Sequence, residues 1–140
     1  MPDNETINGR CLCGAVTMRV RPHSRHLDAC HCTMCRRWGG GPLIVAHCAE
    51  DMELSGGEHV TTYVSSDWAE RAFCSRCGTH LYYRLREGGL LAVPIGLLET
   101  DGPWRLAHEI FIDEKPDYYE LAGDAERLTG AEVLARYGSP

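Results

Sequence analysis

A chain of 140 residues has the length of one domain, enough to bury about 68–70% of the surface that its unfolded form exposes. Apolar side chains make up 44% and charged ones 24%, which excludes wholesale disorder. The net charge of −6 argues against a binder of the nucleic-acid backbone, and no apolar run reaches the length of a membrane span.

Met1 to Arg10 is polar, without the apolar core of a signal peptide. That predicts a cytoplasmic protein in which thiols stay reduced. Eight cysteines at short, clustered spacings then read as metal ligands rather than disulfides.

Residues 1–9 are expected to be a frayed lead-in. Cys11-Leu12-Cys13-Gly14 is a knuckle, in which Gly14 lets the backbone turn its amides toward the sulfurs. Ala15 to Val20 alternates like a strand, broken by Pro22 and His23-Ser24-Arg25. The central stretch, Cys30 to Gly41, reads C-H-C-T-M-C-R-R-W-G-G-G, with a short helical turn expected over Met34 to Trp38. Pro42 to His47 is an apolar, β-branched run that reads as a buried strand, and Asp51 to Leu54 is a short, exposed stretch.

Gly56-Gly57 marks a turn before a strand over His59 to Val64. Trp68 to Phe73 leads into a second knuckle, Cys74-Ser75-Arg76-Cys77-Gly78. Strands are expected over His80 to Leu85, Leu90 to Ile95 and Trp104 to Ile112. Thr129 to Tyr137 carries a helix signal, with Thr129 as N-cap, Glu132 completing a capping box and Gly138 beyond the end. Many short strands with frequent turns predict a mainly β domain of short antiparallel sheets with a C-terminal helix.

The cysteines divide into two groups. Cys11, Cys13, Cys74 and Cys77 supply four thiolates, the complement of a closed structural zinc site. Joining the knuckles closes a loop of about sixty residues, costing on the order of 3–4 kcal/mol. Structural zinc contributes roughly 10–16 kcal/mol and offsets that cost. Cys30, Cys32 and Cys35 supply three ligands, one fewer than tetrahedral zinc takes.

The fourth position could be filled by His31, by Cys48 (with His47 beside it), or left open for water or substrate. An extended backbone turns His31 to the face opposite its neighbours, and Cys48 equally suits a small buried hydrophobe. The open reading is preferred. Trp38, Trp68, Tyr63, His80 and His108 read as core or pocket residues without an assigned role.

The motifs G-x-C-x-C-G-A-V at Gly9 to Val16, C-H-C-T-M-C-R-R at Cys30 to Arg37, R-x-F-C-S-R-C-G-T-H-L-Y at Arg71 to Tyr82 and H-E-I-F-I-D-E-K-P at His108 to Pro116 resemble the glutathione-dependent formaldehyde-activating enzyme family. This family also includes centromere protein V-like proteins. The resemblance covers about residues 9–120 of a single domain over 1–140 and leaves 121–140 as a tail with a short helix. It implies a β-tent type fold with two zinc ions, a structural one at Cys11, Cys13, Cys74 and Cys77 and an active-site one at Cys30, Cys32 and Cys35. The implied activity is a carbon–sulfur lyase or synthase reaction joining glutathione, or a similar thiol, to formaldehyde or a related small aldehyde.

Arg36 and Arg37 would pair with the carboxylates of a glutathione-like ligand, and Gly39, Gly40 and Gly41 would admit it close to the backbone. The competing reading of the arginines is that they are solvated or paired within the chain. The competing function is a non-catalytic, zinc-stabilised interaction or thiol-binding module. A nucleic-acid-binding ribbon around Arg71, Arg76, Arg84 and Arg86 is disfavoured by the acidic balance.

Overall fold

The computed structural model describes residues 5–138. In chain order it forms strands β1 (Ile7–Arg10), β2 (Thr17–Val20) and β3 (Pro22–Cys30), then helix α1 (Thr33–Gly39). There follow β4 (Leu43–Cys48), β5 (Glu53–Ser55), β6 (Val60–Val64), β7 (Ala69–Cys74), β8 (His80–Leu85) and β9 (Leu91–Pro94). The chain ends with β10 (Arg105–Ile110), β11 (Glu126–Leu128) and α2 (Gly130–Tyr137). The mainly β expectation holds.

The chain divides into two compact units, the first comprising residues 1–25 and 46–103 and the second 26–45 and 104–140. In the first, β1, β2 and β5 form an antiparallel sheet in which Ile7 faces Val20 and Met18 faces Leu54. Ile7, Met18 and Val20 are buried while the residues between them are exposed, the period-2 pattern of a sheet with one face on a core. Residues 1–4 lie outside the described part. The remainder of the expected lead-in is corrected, because Ile7 to Arg10 pairs with Thr17 to Val20.

Strands β6 to β9 form an antiparallel meander in the same unit. One register shift, between Ala72 and Phe73, falls just before Cys74 and re-aims the chain as it enters the second knuckle.

The second unit departs from the expectation of antiparallel sheets alone. Its central strand β10 runs parallel both to β3 and to β11. Ile110 pairs with Cys30, and Glu109 with Ala29 on one side and Arg127 on the other. β2 ends at Val20, as the break at Pro22 predicts, but the His23 group is itself extended: after Arg21 the chain enters β3, a strand of a different sheet, and Pro22 takes its first position, where the missing N–H is tolerated. The α2 capping box is formed, with Thr129 Oγ1 accepting from the Glu132 amide at 3.1 Å and Glu132 Oε1 accepting from the Thr129 amide at 2.9 Å.

Candidate metal centres

In the first unit the two knuckles meet. The Cys11 amide donates to Val16 O at 3.0 Å and the Gly14 amide to Cys11 O at 3.1 Å, while Gly14 takes φ +80°. That turn brings the Val16 N–H to within 3.4 Å of Cys11 Sγ. The second knuckle repeats the device, with Gly78 at φ +79° donating to Cys74 O at 2.7 Å.

The result is a cluster in which the sulfurs of Cys11, Cys13, Cys74 and Cys77 all lie within 4.8 Å of one another. Tetrahedral thiolates about 2.3 Å from a zinc ion stand about 3.8 Å apart. The Cys11–Cys13 and Cys13–Cys74 sulfur separations are 3.7 and 3.9 Å, so the four residues fit that ion.

Thr79 joins the knuckles. Its Oγ1 accepts the Leu12 amide at 3.1 Å, which leaves its own proton for Cys77 Sγ, also at 3.1 Å. The Thr79 hydroxyl and backbone amides lower the Cys77 thiol to about 5. At Cys13 the Ala15 amide pulls downward, but desolvation and the neighbouring sulfurs outweigh it and push the thiol up to about 11.

In the second unit, β3 delivers Cys30 and α1 delivers Cys32 and Cys35. Cys32 is the N-cap of α1, and its sulfur accepts the Cys35 amide at 3.3 Å. Helical spacing places Cys35 one turn on. The three sulfurs lie within 4.8 Å of one another, with Cys32 and Cys35 buried and Cys30 partly so. Bonds from Cys30, Cys35 and the α1 amides lower the Cys32 thiol to about 2, and the same coupling raises Cys30. Three soft donors fit zinc with one position to spare, and among the described residues no fourth Cys, His, Asp or Glu joins them.

His31 turns away from its cysteine neighbours, as alternation along an extended backbone requires. Its side chain is fully buried, and Nε2 lies 2.9 Å from Glu109 Oε1. A carboxylate only accepts, so Nε2 carries a proton and donates. In the neutral ring Nδ1 then accepts from the Tyr119 hydroxyl, 2.7 Å away. The contacts close into a ring. Glu109 Oε2 meets Arg127 Nε at 3.4 Å, Arg127 Nη2 meets Glu120 Oε2 at 3.6 Å, and Glu120 Oε1 accepts from Lys115 Nζ at 2.9 Å. Lys115 Nζ lies 5.1 Å over the Tyr119 ring, which stacks on His31.

Arg36 is committed within the chain. Nε donates to His31 O at 2.9 Å and Nη2 to Glu114 O at 3.1 Å. Arg37 is exposed on α1. Gly39 ends α1, and Gly40 caps it at φ +86°, its amide 2.7 Å from Arg36 O, so Gly40 has a structural use. A Cβ at Gly40 or Gly41 would meet nothing within 4 Å.

Cys48 belongs to the first unit, buried, its thiol directed to Ala46 O at 3.6 Å and raised to about 12 by burial. Tyr63 and Trp68 are exposed in the first unit rather than core, and Trp38 is half-buried in the second. His80 is lowered by burial and by Arg71, while His108 Nδ1 sits 2.8 Å from Asp28. Arg71 is buried and Arg84 is ion-paired with Glu70. Thr79, Glu109 and Tyr119 are the residues sequence reasoning passed over; only Thr79 stood near a cysteine motif, directly after Gly78.

Three likenesses bear on identity. A Schizosaccharomyces pombe protein named as an uncharacterized lyase is 33% identical over 135 residues, covering 96% of each chain. A Halomonas elongata protein, named provisionally as a glutathione-dependent formaldehyde-activating enzyme, is 30% identical over 127 residues, 82% of this chain and 80% of its own. A crystal structure of a Rhodobacter sphaeroides protein superposes with a TM-score of 0.59 at 29% identity, covering 69% of this chain and 91% of that one. The family model described as glutathione-dependent formaldehyde-activating enzyme matches residues 6–114, so the chain belongs to that family.

Proposed function

We propose that the protein is a zinc-dependent carbon–sulfur lyase acting reversibly on a glutathione-like thiol and formaldehyde or a related small aldehyde. Cys11, Cys13, Cys74 and Cys77 hold a structural zinc, and Cys30, Cys32 and Cys35 hold a second, working one. The observation that carries the reading is a cluster of three thiols that, among the described residues, no fourth donor closes, beside a His31 turned away from it.

In the forward direction the thiol sulfur attacks the aldehyde carbon. An S–C bond forms, the C=O π bond breaks, and the thiol proton ends on the new hydroxyl, with no change in oxidation state. Zinc, when bound, supplies a Lewis acid that favours the substrate thiol as thiolate. The three cysteines fix where the thiol docks. Because their own negative charge weakens the Lewis acidity, the site suits thiolate exchange better than splitting water.

Arg36 keeps its two backbone bonds, so pairing with a substrate carboxylate falls to exposed Arg37, and the open space beside Gly40 and Gly41 admits the ligand backbone. The site lies in a protein without a helix long and apolar enough to cross a membrane among the described residues, and a cytoplasmic setting supplies glutathione at reduced poise.

The test is two-dimensional exchange NMR with carbon-13 formaldehyde and glutathione. The zinc-loaded protein should speed interconversion of free formaldehyde and the S-hydroxymethyl adduct beyond the spontaneous rate, and Cys35→Ser should not. Equal exchange with both proteins would overturn the reading. Cys48→Ala should retain both zinc ions and the exchange activity.

A further inference from the structure

We propose that His31 is a positioning residue that sets the directions of Cys30 and Cys32 and so keeps the three-cysteine site open; the inference rests on the zinc reading of that site. The residue stands between two of the three cysteines along the chain, and every polar group it has is held. Its amide donates to Ile110 O at 3.1 Å and its carbonyl accepts from Arg36 Nε at 2.9 Å. Its ring is gripped by Glu109 and Tyr119 at 2.9 and 2.7 Å. Four bonds to β10, α1 and the segment before β11 leave the peptide between the two cysteines little freedom to rotate.

The consequence follows from chain geometry. Rotating His31 about its backbone would swing the Cα–Cβ bonds of both neighbours, because alternation ties their directions to its own. A ring released from Glu109 and Tyr119 would also be free to turn toward the metal and fill the position the site leaves vacant. The grip thus serves in two ways, holding the sulfurs converged and holding the imidazole away.

The same grip is over-determined. Glu109 is 2% exposed, and its carboxylate is shared between His31 and Arg127. Tyr119 stacks on His31 and also packs under Lys115 Nζ, and Lys115 and Arg127 are tied together through Glu120. Just beyond β10, Phe111 takes φ +55°, a left-handed conformation that costs a non-glycine residue energy and persists where its surroundings require it. Its ring abuts Gly130, where a Cβ would lie 2.7 Å from Phe111 Cε1. The segment carrying Tyr119 back toward His31 begins at that turn. A buried polar pair serving only to fill a core would need neither the closed ring of contacts nor the strained turn.

The test uses cobalt(II) as the probe, loaded into the full chain, because thiolate-to-cobalt absorption reports the geometry and affinity of each site. The four-cysteine cluster, in the other unit, serves as internal reference. Tyr119→Phe removes one hydroxyl and keeps the ring, His31→Gln keeps a donor for Glu109, and His31→Phe removes both bonds. The expected result is a graded loss of affinity at the three-cysteine site alone, by about 10-fold for Tyr119→Phe and His31→Gln and toward 100-fold for His31→Phe. Shifted cobalt bands at that site should accompany the loss.

Wild-type affinity and bands in all three variants would overturn the positioning role while leaving the zinc reading intact. Loss at both sites in Tyr119→Phe would also overturn it, since that marks a role in folding at large. A wild-type chain that takes up one cobalt instead of two would overturn the zinc reading, and this inference with it.

Discussion

A hydroxyl beside a sulfur decides when that sulfur exists as thiolate. In the metal-free protein the Thr79 hydroxyl and nearby amides hold Cys77 at about 5, whereas Cys13 stands near 11. The thiolate is the reactive form, and it is present above the pKa of its group. Alkylation of the apo-protein at pH 6–7, read by mass spectrometry, should therefore label Cys77 before Cys13, although Cys13 is the more exposed. Thr79→Val should remove that preference by raising Cys77, and adding zinc should protect both. At the same scale, the partition of the cysteines was legible because each group announces itself within a few residues. The use of His31 was not, because its two partners stand 78 and 88 residues away and no local pattern marks them.

At the scale of elements, the turn between β5 and β6 is fitted against the first knuckle. Gly56 has φ +80°, and a Cβ there would stand 1.9 Å from Ala15 O, a backbone atom with nowhere to move. Gly56→Ala combines left-handed strain with overpacking and should cost roughly 2–5 kcal/mol, read from the urea midpoint. It should also loosen zinc at the four-cysteine cluster, since Ala15 adjoins that knuckle. On the other unit, α2 is tied to β11 by the Arg136–Glu126 pair at 2.6 and 3.1 Å. The bond from Arg136 holds the Glu126 carboxyl below its ordinary range. Such a group adds stability above its unfolded pKa and loses it as pH falls through the depressed folded value. Protection of the α2 amides, taken relative to the intrinsic exchange rate at each pH, should fall as pH drops through the depressed Glu126 value, and Glu126→Gln should flatten that dependence.

The elements also differ in how openly the sequence declares them. α2 was legible in full, because the Thr129 and Glu132 capping box is a local signal with a local cause. β1 was missed because Ile7-Asn8-Gly9-Arg10 offers one strongly apolar residue and a glycine. That glycine is required, since a Cβ would lie 2.9 Å from Leu97 O. β11 is three residues long, and the parallel pairings of β10 join segments about eighty residues apart in one case. Nothing in the spacing of a short strand says which neighbour it will take.

For the molecule as a whole, the two cysteine clusters fall one in each compact unit. One has four sulfurs at the spacing a closed tetrahedral ion needs, and the other has three. That difference is the basis for assigning structure to the first and chemistry to the second. Removing metal should therefore have separable effects, with the three-cysteine site emptied first by a mild chelator and thiol binding lost while the first unit remains folded. The measurement that tests this most directly is calorimetric titration of glutathione into protein carrying two zinc ions and into a Cys35→Ser variant carrying one. The two-zinc protein should bind one glutathione per chain, and the variant should bind it at least about 10-fold more weakly. Equal affinity for the two would contradict that assignment.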